Sequence, residues 1–414
     1  MPFLRILGLG SNNLVSKFPE FISDSHSLTF LDLSFNKFTG DLVLESIFTD
    51  LHNLENLHLA GNSFEGPIPP RVFKLSNLKV LELTGNNFSR SISNDIGLLS
   101  ELETLYLDFN FFDGPIPPNI FNLSQLKILE LTENNFSGPV SNDISLLSEL
   151  ENLNLALNSS DGPFPSKIFN LTKLRHLNLY GNKNLFKGSI PLDIRNLKLL
   201  ESINLGSNQL VGPLSMLISN LTNLKMVGLS DNRFFGKIPS DFLKNLPSLH
   251  VIDLSNNNLS GNIPREYNVH PILEYINLSG NHLTDNGLSG ALPHCLGNLA
   301  DKMHCIDLAN NQFRGPIPTT FSESCQLRYL NMYDNQLEGL LPRSLSNCKH
   351  LKILDIGNNK MGGTFPSWLF TLRELEVLVL QSNKLYGPLR IPYREAAGDA
   401  LMAMQNMQKP LSTH

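Results

Sequence analysis

At 414 residues the chain is longer than one ordinary globular domain, and 41% hydrophobic content is ample for an extended core. Charged residues make up only 17%, and the formal net charge of -6 gives neither nucleic acid nor an anionic membrane an obvious hold. Four cysteines are too sparse for a disulfide scaffold, and no apolar run reaches the roughly 18 residues a membrane helix needs.

In chain order, the N-terminus MPFLRILGLG lacks the charged, apolar and small-residue layout of a signal peptide. A frame then recurs at a period of roughly 24 residues. The stretch Leu102 to Gln125, LETLYLDFNFFDGPIPPNIFNLSQ, shows it whole. It reads L-x-x-L-x-L-x-x-N, an apolar residue, G-x-I-P, and a second apolar run ending in N-L-S. Repeats open at Leu4, Leu28, Leu54, Leu78, Leu102, Leu126, Leu150, Leu174, Leu200, Leu224, Leu249, Leu273, Met303, Leu327, Leu351 and Leu375. That makes about sixteen, each with an asparagine eight residues on, from Asn12 to Asn383.

The period predicts an α/β solenoid of the leucine-rich-repeat kind over residues 1–389, a right-handed superhelix. Its parallel β-sheet should line the concave face, with 3-10 and extended segments on the convex face. In L-x-L the leucines point inward from a short strand and stack as ladders. The asparagine sits where the chain leaves the sheet, where its amide can bond turning backbone. The glycine and proline of G-x-I-P then give a turn and an extended piece. The repeats at Leu28, Leu174 and Leu224 are slightly long, and the one at Leu273 carries an insertion around Thr284 to Leu288. Residues 390–414 leave the pattern; a short helix over Ala396 to Gln408 and a poorly ordered tail both fit.

The frame L-x-x-L-x-x-L-x-L-x-x-N-x-[LF]-x-G-x-[IL]-P, above all its G-x-I-P, resembles the plant-specific leucine-rich repeat. The segment Phe321 to Leu389 is similar to the late ectodomain repeats of plant receptor-like proteins of the disease-resistance type. The resemblance implies an extracellular binding scaffold that signals through a partner kinase. Family members carry a leader, a cysteine-paired cap, an island, a membrane helix and a kinase-free tail, and Ser367 stands where their F-P-C-W has cysteine. The chain therefore reads as a fragment, or a truncated paralogue, of such an ectodomain.

Catalytic signatures are missing: there is no G-x-S-x-G, P-loop, G-x-G-x-x-G or H-E-x-x-H. No enzyme activity, cofactor or metal is expected. The doublets His294-Cys295 and His304-Cys305 match no zinc spacing. Cys325 and Cys348 occupy similar late places of adjacent repeats, as a disulfide or as two packed thiols.

Candidate ligand contacts follow from strand alternation. With the fourth and sixth places inward, the third, fifth and seventh face outward and the eighth lies at the turn. None of these places, in any repeat, holds lysine or arginine. Large aromatics, histidines and carboxylates gather there in the repeats from Leu28 to Leu174: Phe35, His58, Glu82, Tyr106, Asp108, Phe109, Glu130, Glu133, His176 and Tyr180. Tyr275, Tyr329 and Tyr333 form a rival cluster. Candidate N-glycosylation sites are Asn87, Asn122, Asn135, Asn170, Asn220, Asn258 and Asn277, whereas the sequon asparagine Asn158 is a turn residue whose amide should be engaged.

These features predict an extracellular or cell-surface receptor ectodomain that binds a protein or peptide, acting in immune perception with a co-receptor kinase. The competing readings are a soluble wall-enzyme inhibitor of the polygalacturonase-inhibiting type and a truncated product without independent function.

Overall fold

The computed structural model describes residues 3–42, 48, 50–182, 186–214, 221–263, 272–284, 292 and 295–389. The chain divides into two compact units, one of Met1–Phe235 with Lys244–Leu249, the other of Gly236–Leu243 with His250–His414.

In the first unit, three-residue strands pair in parallel from Ile6–Gly8 through Phe30–Asp32, Asn56–His58, Val80–Glu82, Thr104–Tyr106, Ile128–Glu130, Asn152–Asn154, His176–Asn178 and Ser202–Asn204 to Met226–Gly228. The register aligns equivalent repeat places: Leu105 pairs with Leu129, and Tyr106 with Glu130. From Phe30–Asp32 onward the central residue, such as Leu81, Leu105 or Leu129, is buried, while its neighbours, apart from the exposed His176, are half-buried on the open face. The second unit repeats the arrangement from Val251–Asp253 to Val377–Val379.

A second parallel ladder, read from the sequence only as an extended piece, runs just after the turn. In the first unit it joins Val15–Ser16, Lys37–Asp41, Ser63–Gly66, Asn87–Arg90, Phe111–Gly114, Asn135–Gly138 and Ser159–Ser160. Its inward phenylalanines, Phe38, Phe64, Phe88, Phe112 and Phe136, are buried and follow one another at ring separations of 6.1 to 6.3 Å. Proline then starts single 3-10 turns such as Pro118–Asn122, consistent with its fixed φ and missing N–H. Among the described residues the α-helix is Cys295–Leu299.

The ladder asparagines hold the repeats together. Asn110 Nδ2 donates to the carbonyls of Leu83 at 2.9 Å, Leu107 at 3.2 Å and Asp108 at 3.1 Å, and its Oδ1 accepts from Phe88 N at 3.0 Å. One buried side chain thus satisfies backbone of its own repeat and of the one before. At the second place charges alternate, and Lys79–Glu55, Lys127–Glu103, Arg175–Glu201 and Lys225–Glu201 pair at 2.8, 2.6, 2.8 and 2.6 Å. These four basic side chains on the rim are therefore already matched.

Residues 390–414 and Asn220 lie outside the described residues, as does the 285–288 part of the insertion. Cys325 and Cys348 are joined in a disulfide, with Cα atoms 4.8 Å apart.

Candidate ligand-binding surface

Fifth-place residues normally serve the backbone. Asp32 Oδ1 accepts from Ser34 N at 2.8 Å, Asn154 from Ala156 N at 3.2 Å, Asn178 from Tyr180 N at 3.1 Å and Asn204 from Gly206 N at 3.1 Å. In the second unit Asp253, Asn277, Asp307, Asn331 and Asp355 do the same two residues on. These are Asx turns that start the chain away from the strand. Much of the Asp and Asn on this face is thus accounted for by local structure.

Four consecutive repeats break the rule, with His58, Glu82, Tyr106 and Glu130 at the fifth place in continuous register. None of these side chains can form the Asx turn, so their presence needs a cause other than the turn. His58 Nδ1 and Glu82 Oε2 are 2.5 Å apart, and the His58 ring lies 5.3 Å from that of Phe30. Asp108 accepts from Thr84 Oγ1 at 2.9 Å, and Glu130 from Asn152 Nδ2 at 2.8 Å.

The electrostatics follow from burial among like charges. Burial, opposed by amide bonds from Asn154 and Asn152 and reinforced by Asp108, pushes the Glu130 carboxyl up to about 7. Burial also raises Asp108, against the Thr84 bond, with a further push from Glu82. Tyr106 is raised by burial and then by Glu130, Glu82 and Asp108. A cation brought here would relieve repulsion already present.

The eighth place departs as well. There the backbone is left-handed, with φ of 51° at Phe35, 53° at Phe109, 49° at Glu133 and 53° at Leu157. Such angles suit glycine, asparagine and aspartate, and bulky side chains meet them at a cost. Phe35 and Phe109 are 62% and 50% exposed, so core packing does not explain them. A Cβ on Gly61 would come within 2.6 Å of the Phe35 ring, and one on Gly181 within 2.7 Å of Leu157. The two apolar side chains therefore lie over the glycine of the following repeat.

The structure brings His58, Glu82, Tyr106 and Glu130 onto adjoining strands, with Asp108 just beyond the end of its strand, and sets Phe35, Phe109 and Glu133 along the turn beside them. His176 and Tyr180 stand apart, beyond the strand Asn152–Asn154, with Tyr180 against Gly206. Sequence reasoning missed Leu157 and Phe111, 39% and 63% exposed. The signal for Phe111 was available: it occupies the place after the ladder asparagine, which is polar in the other repeats.

In the rival cluster Tyr329 already has partners on the face. Tyr329 Oη donates to Asp307 Oδ2 at 3.1 Å, and Asn331 Nδ2 donates to the same oxygen at 3.1 Å. Among the sequon asparagines, Asn87, Asn122, Asn135, Asn170 and Asn258 are exposed, whereas Asn277 is half-buried on the sheet face with Oδ1 bonded to Ser279. Asn158 is buried, its Nδ2 bonded to the carbonyls of Leu131, Leu155 and Ala156.

Among the described residues no three His, Cys, Asp or Glu side chains converge as a metal site, and no helix is long and apolar enough to cross a membrane.

Sequence profiles described as leucine-rich repeat match residues 222–283 and 325–385, residues 53–75, 77–99, 101–123, 173–197 and 273–299, and residues 24–41. Over 92 residues the chain is 40% identical to Cuscuta receptor 1 of Solanum lycopersicum, covering 22% of this chain and 8% of that protein. Over 102 residues it is 33% identical to Receptor-like protein 39 of Arabidopsis thaliana, covering 24% and 11%. The aligned parts are thus a small fraction of these relatives' length. Among solved structures, a TDR receptor superposes with a TM-score of 0.84 and 34% identity, over 92% of this chain and 64% of that one. The Arabidopsis receptor kinase HAESA, in complex with the peptide hormone IDA and the co-receptor SERK1, gives 0.83 and 35%, over 92% and 63%.

Proposed function

Since the chain belongs to the leucine-rich-repeat proteins, with plant receptor-like proteins among its relatives, we propose that it is the recognition part of an extracellular, non-enzymatic receptor that binds a peptide or protein. The observation that carries this reading is the run His58, Glu82, Tyr106 and Glu130. Four neighbouring repeats give up the fifth-place Asx turn for larger side chains, in the same region where Phe35 and Phe109 tolerate left-handed backbone. Local rules broken together on an exposed face are what a binding site asks for.

The ligand in this reading is neutral or basic and in part apolar. Tyr106 and Phe109 offer the apolar contacts, and Glu82, Asp108 and Glu130 the charge, while lysine and arginine are absent from the face. HAESA, crystallised with a peptide hormone and a co-receptor, supports a peptide ligand and a co-receptor kinase here. Likeness to receptor-like proteins supports immune perception as the setting. The buried disulfide is in keeping with an oxidising, extracellular compartment.

The test is a binding screen of the secreted chain against an array of secreted plant and microbial peptides, run beside two double variants. Hits lost in Tyr106→Ala with Glu130→Ala, yet kept in Tyr329→Ala with Tyr333→Ala, support the reading. The opposite pattern overturns the placement.

A further inference from the structure

Beside the candidate surface lies a groove of about 490 Å3, walled by Phe111 and Leu157 and edged by Asp113, Glu133 and Asn134. The sequon asparagine Asn135 also lines it. Asp113 and Asn135 stand in register on adjacent strands of the second ladder. Ser159 Oγ donates to Asn135 Oδ1 at 3.2 Å, so the exposed amide is oriented by its oxygen, while its nitrogen makes no hydrogen bond among the described residues.

We propose that Asn135 carries an N-linked glycan whose first sugars lie in this groove, against Phe111 and Leu157. The groove's composition fits a sugar on both counts. An aromatic ring offers a flat apolar surface to the C–H face of a pyranose, and carboxylate and amide groups meet its hydroxyls and acetamide. Phe111 is otherwise unexplained: it is 63% exposed at a place that is polar in the other repeats. Asn87 and Asn258 open equivalent strands but do not line this groove. Asn122 and Asn170 end 3-10 turns instead.

In the modification itself, Asn135 Nδ2 attacks the anomeric carbon of a polyprenyl-diphosphate-linked oligosaccharide. A C–N bond forms, the bond from that carbon to the diphosphate oxygen breaks, the diphosphate leaves, and the amide gives up one proton. The folded groove then holds the glycan and covers Glu133, which bounds the ligand surface on that side.

The inference rests on the extracellular reading, since the chain must pass through the secretory pathway, and the experiment separates the two. The full chain is secreted from plant cells, site occupancy is mapped by mass spectrometry, and native release by peptide N-glycosidase is timed at each site. Asn135 should be occupied and released about tenfold more slowly than Asn122 and Asn170, which corresponds to roughly 1.4 kcal/mol of packing. Phe111→Ser with Leu157→Ser, both exposed changes, should remove that difference and leave Asn122 and Asn170 as they were. Equal release rates in the native chain overturn the proposal. So does an unmodified Asn135 beside glycosylated Asn122 and Asn170. If no sequon is modified, the extracellular reading falls with it.

Discussion

Glu130 stands in register with Tyr106 on the adjoining strand, and its carboxyl titrates near 7 instead of at 4.5. The charged form is the disfavoured one, so between 4.5 and about 7 the folded chain binds a proton that the unfolded chain does not. Stability from this group is full below 4.5 and is lost as pH rises through about 7. Glu130→Gln should accordingly stabilise the protein at neutral pH, by about 1 kcal/mol once solvent screening is allowed for. Against a basic ligand the same group acts in the opposite sense. Binding should strengthen as pH rises through 7, and Glu130→Gln should flatten that profile. Thermal melts and a pH series of binding isotherms check both signs.

Arg90 has a φ of 71° at the place where Gly66, Gly114 and Gly138 have 79°, 70° and 78°. Its neighbours show what the turn wants, and arginine has a Cβ that the left-handed region penalises by roughly 1–2 kcal/mol. Glycine loses part of that gain through the freer unfolded chain. Arg90→Gly should therefore raise stability by about 0.5–1 kcal/mol, seen as a higher denaturant midpoint at unchanged slope. Arg90→Ala keeps the Cβ and should give no such gain.

Much of the fold could be read from the sequence because each repeat states the same rule. Leu105 and Leu107 alternate inward on a strand, Asn110 ends it, and Gly114 with Pro117 turns the chain. The second ladder was less legible, since strands such as Asn87–Arg90 pair only through backbone groups that any residue has. At the site, sequence alternation found Glu82, Tyr106 and Glu130. It could not separate them from Asp32 or Asn154, whose carboxylate and amide oxygens turn out to serve their own backbone. Phe111 breaks the polar pattern of its place, a signal the sequence held, whereas the exposure of Leu157 depends on what the neighbouring repeat leaves uncovered.

Two contrasting stability effects should separate the stack's core from its rim. Phe112→Ala opens a hole between the rings of Phe88 and Phe136 and should cost about 3–5 kcal/mol. Asn110→Ala leaves the buried N–H of Phe88 without its acceptor and removes one of the two amide donors on each of the carbonyls of Leu83 and Leu107, for about 1–3 kcal/mol. Lys127→Ala removes a pairing with Glu103 between side chains that are 45% and 40% exposed, and its midpoint should match the wild type. A Lys127 effect as large as that of Asn110 would mean that the charge ladder, rather than the asparagine ladder, holds the register.

The disulfide in the second unit allows a last test. Cys325 and Cys348 are 23 residues apart and buried, and the bond closes one repeat onto the next. Loop-closure entropy for such a span stabilises the fold by about 3 kcal/mol. Among the described residues Cys305 is the free thiol. That thiol faces the sheet's open side between Tyr275 and Tyr329, and burial, with Asp307 and Asp253, pushes it up to about 12. A thiol that stays protonated is a poor nucleophile, so it should neither attack the disulfide nor label quickly. Cys348→Ser should thus lower the unfolding midpoint by the equivalent of about 3 kcal/mol, and mild reductant should do the same to the native chain. Cys305→Ser should leave the midpoint and its reductant sensitivity unchanged. If Cys305→Ser instead abolishes that sensitivity, the thiol takes part in exchange and its shielding by the aspartates has been misjudged.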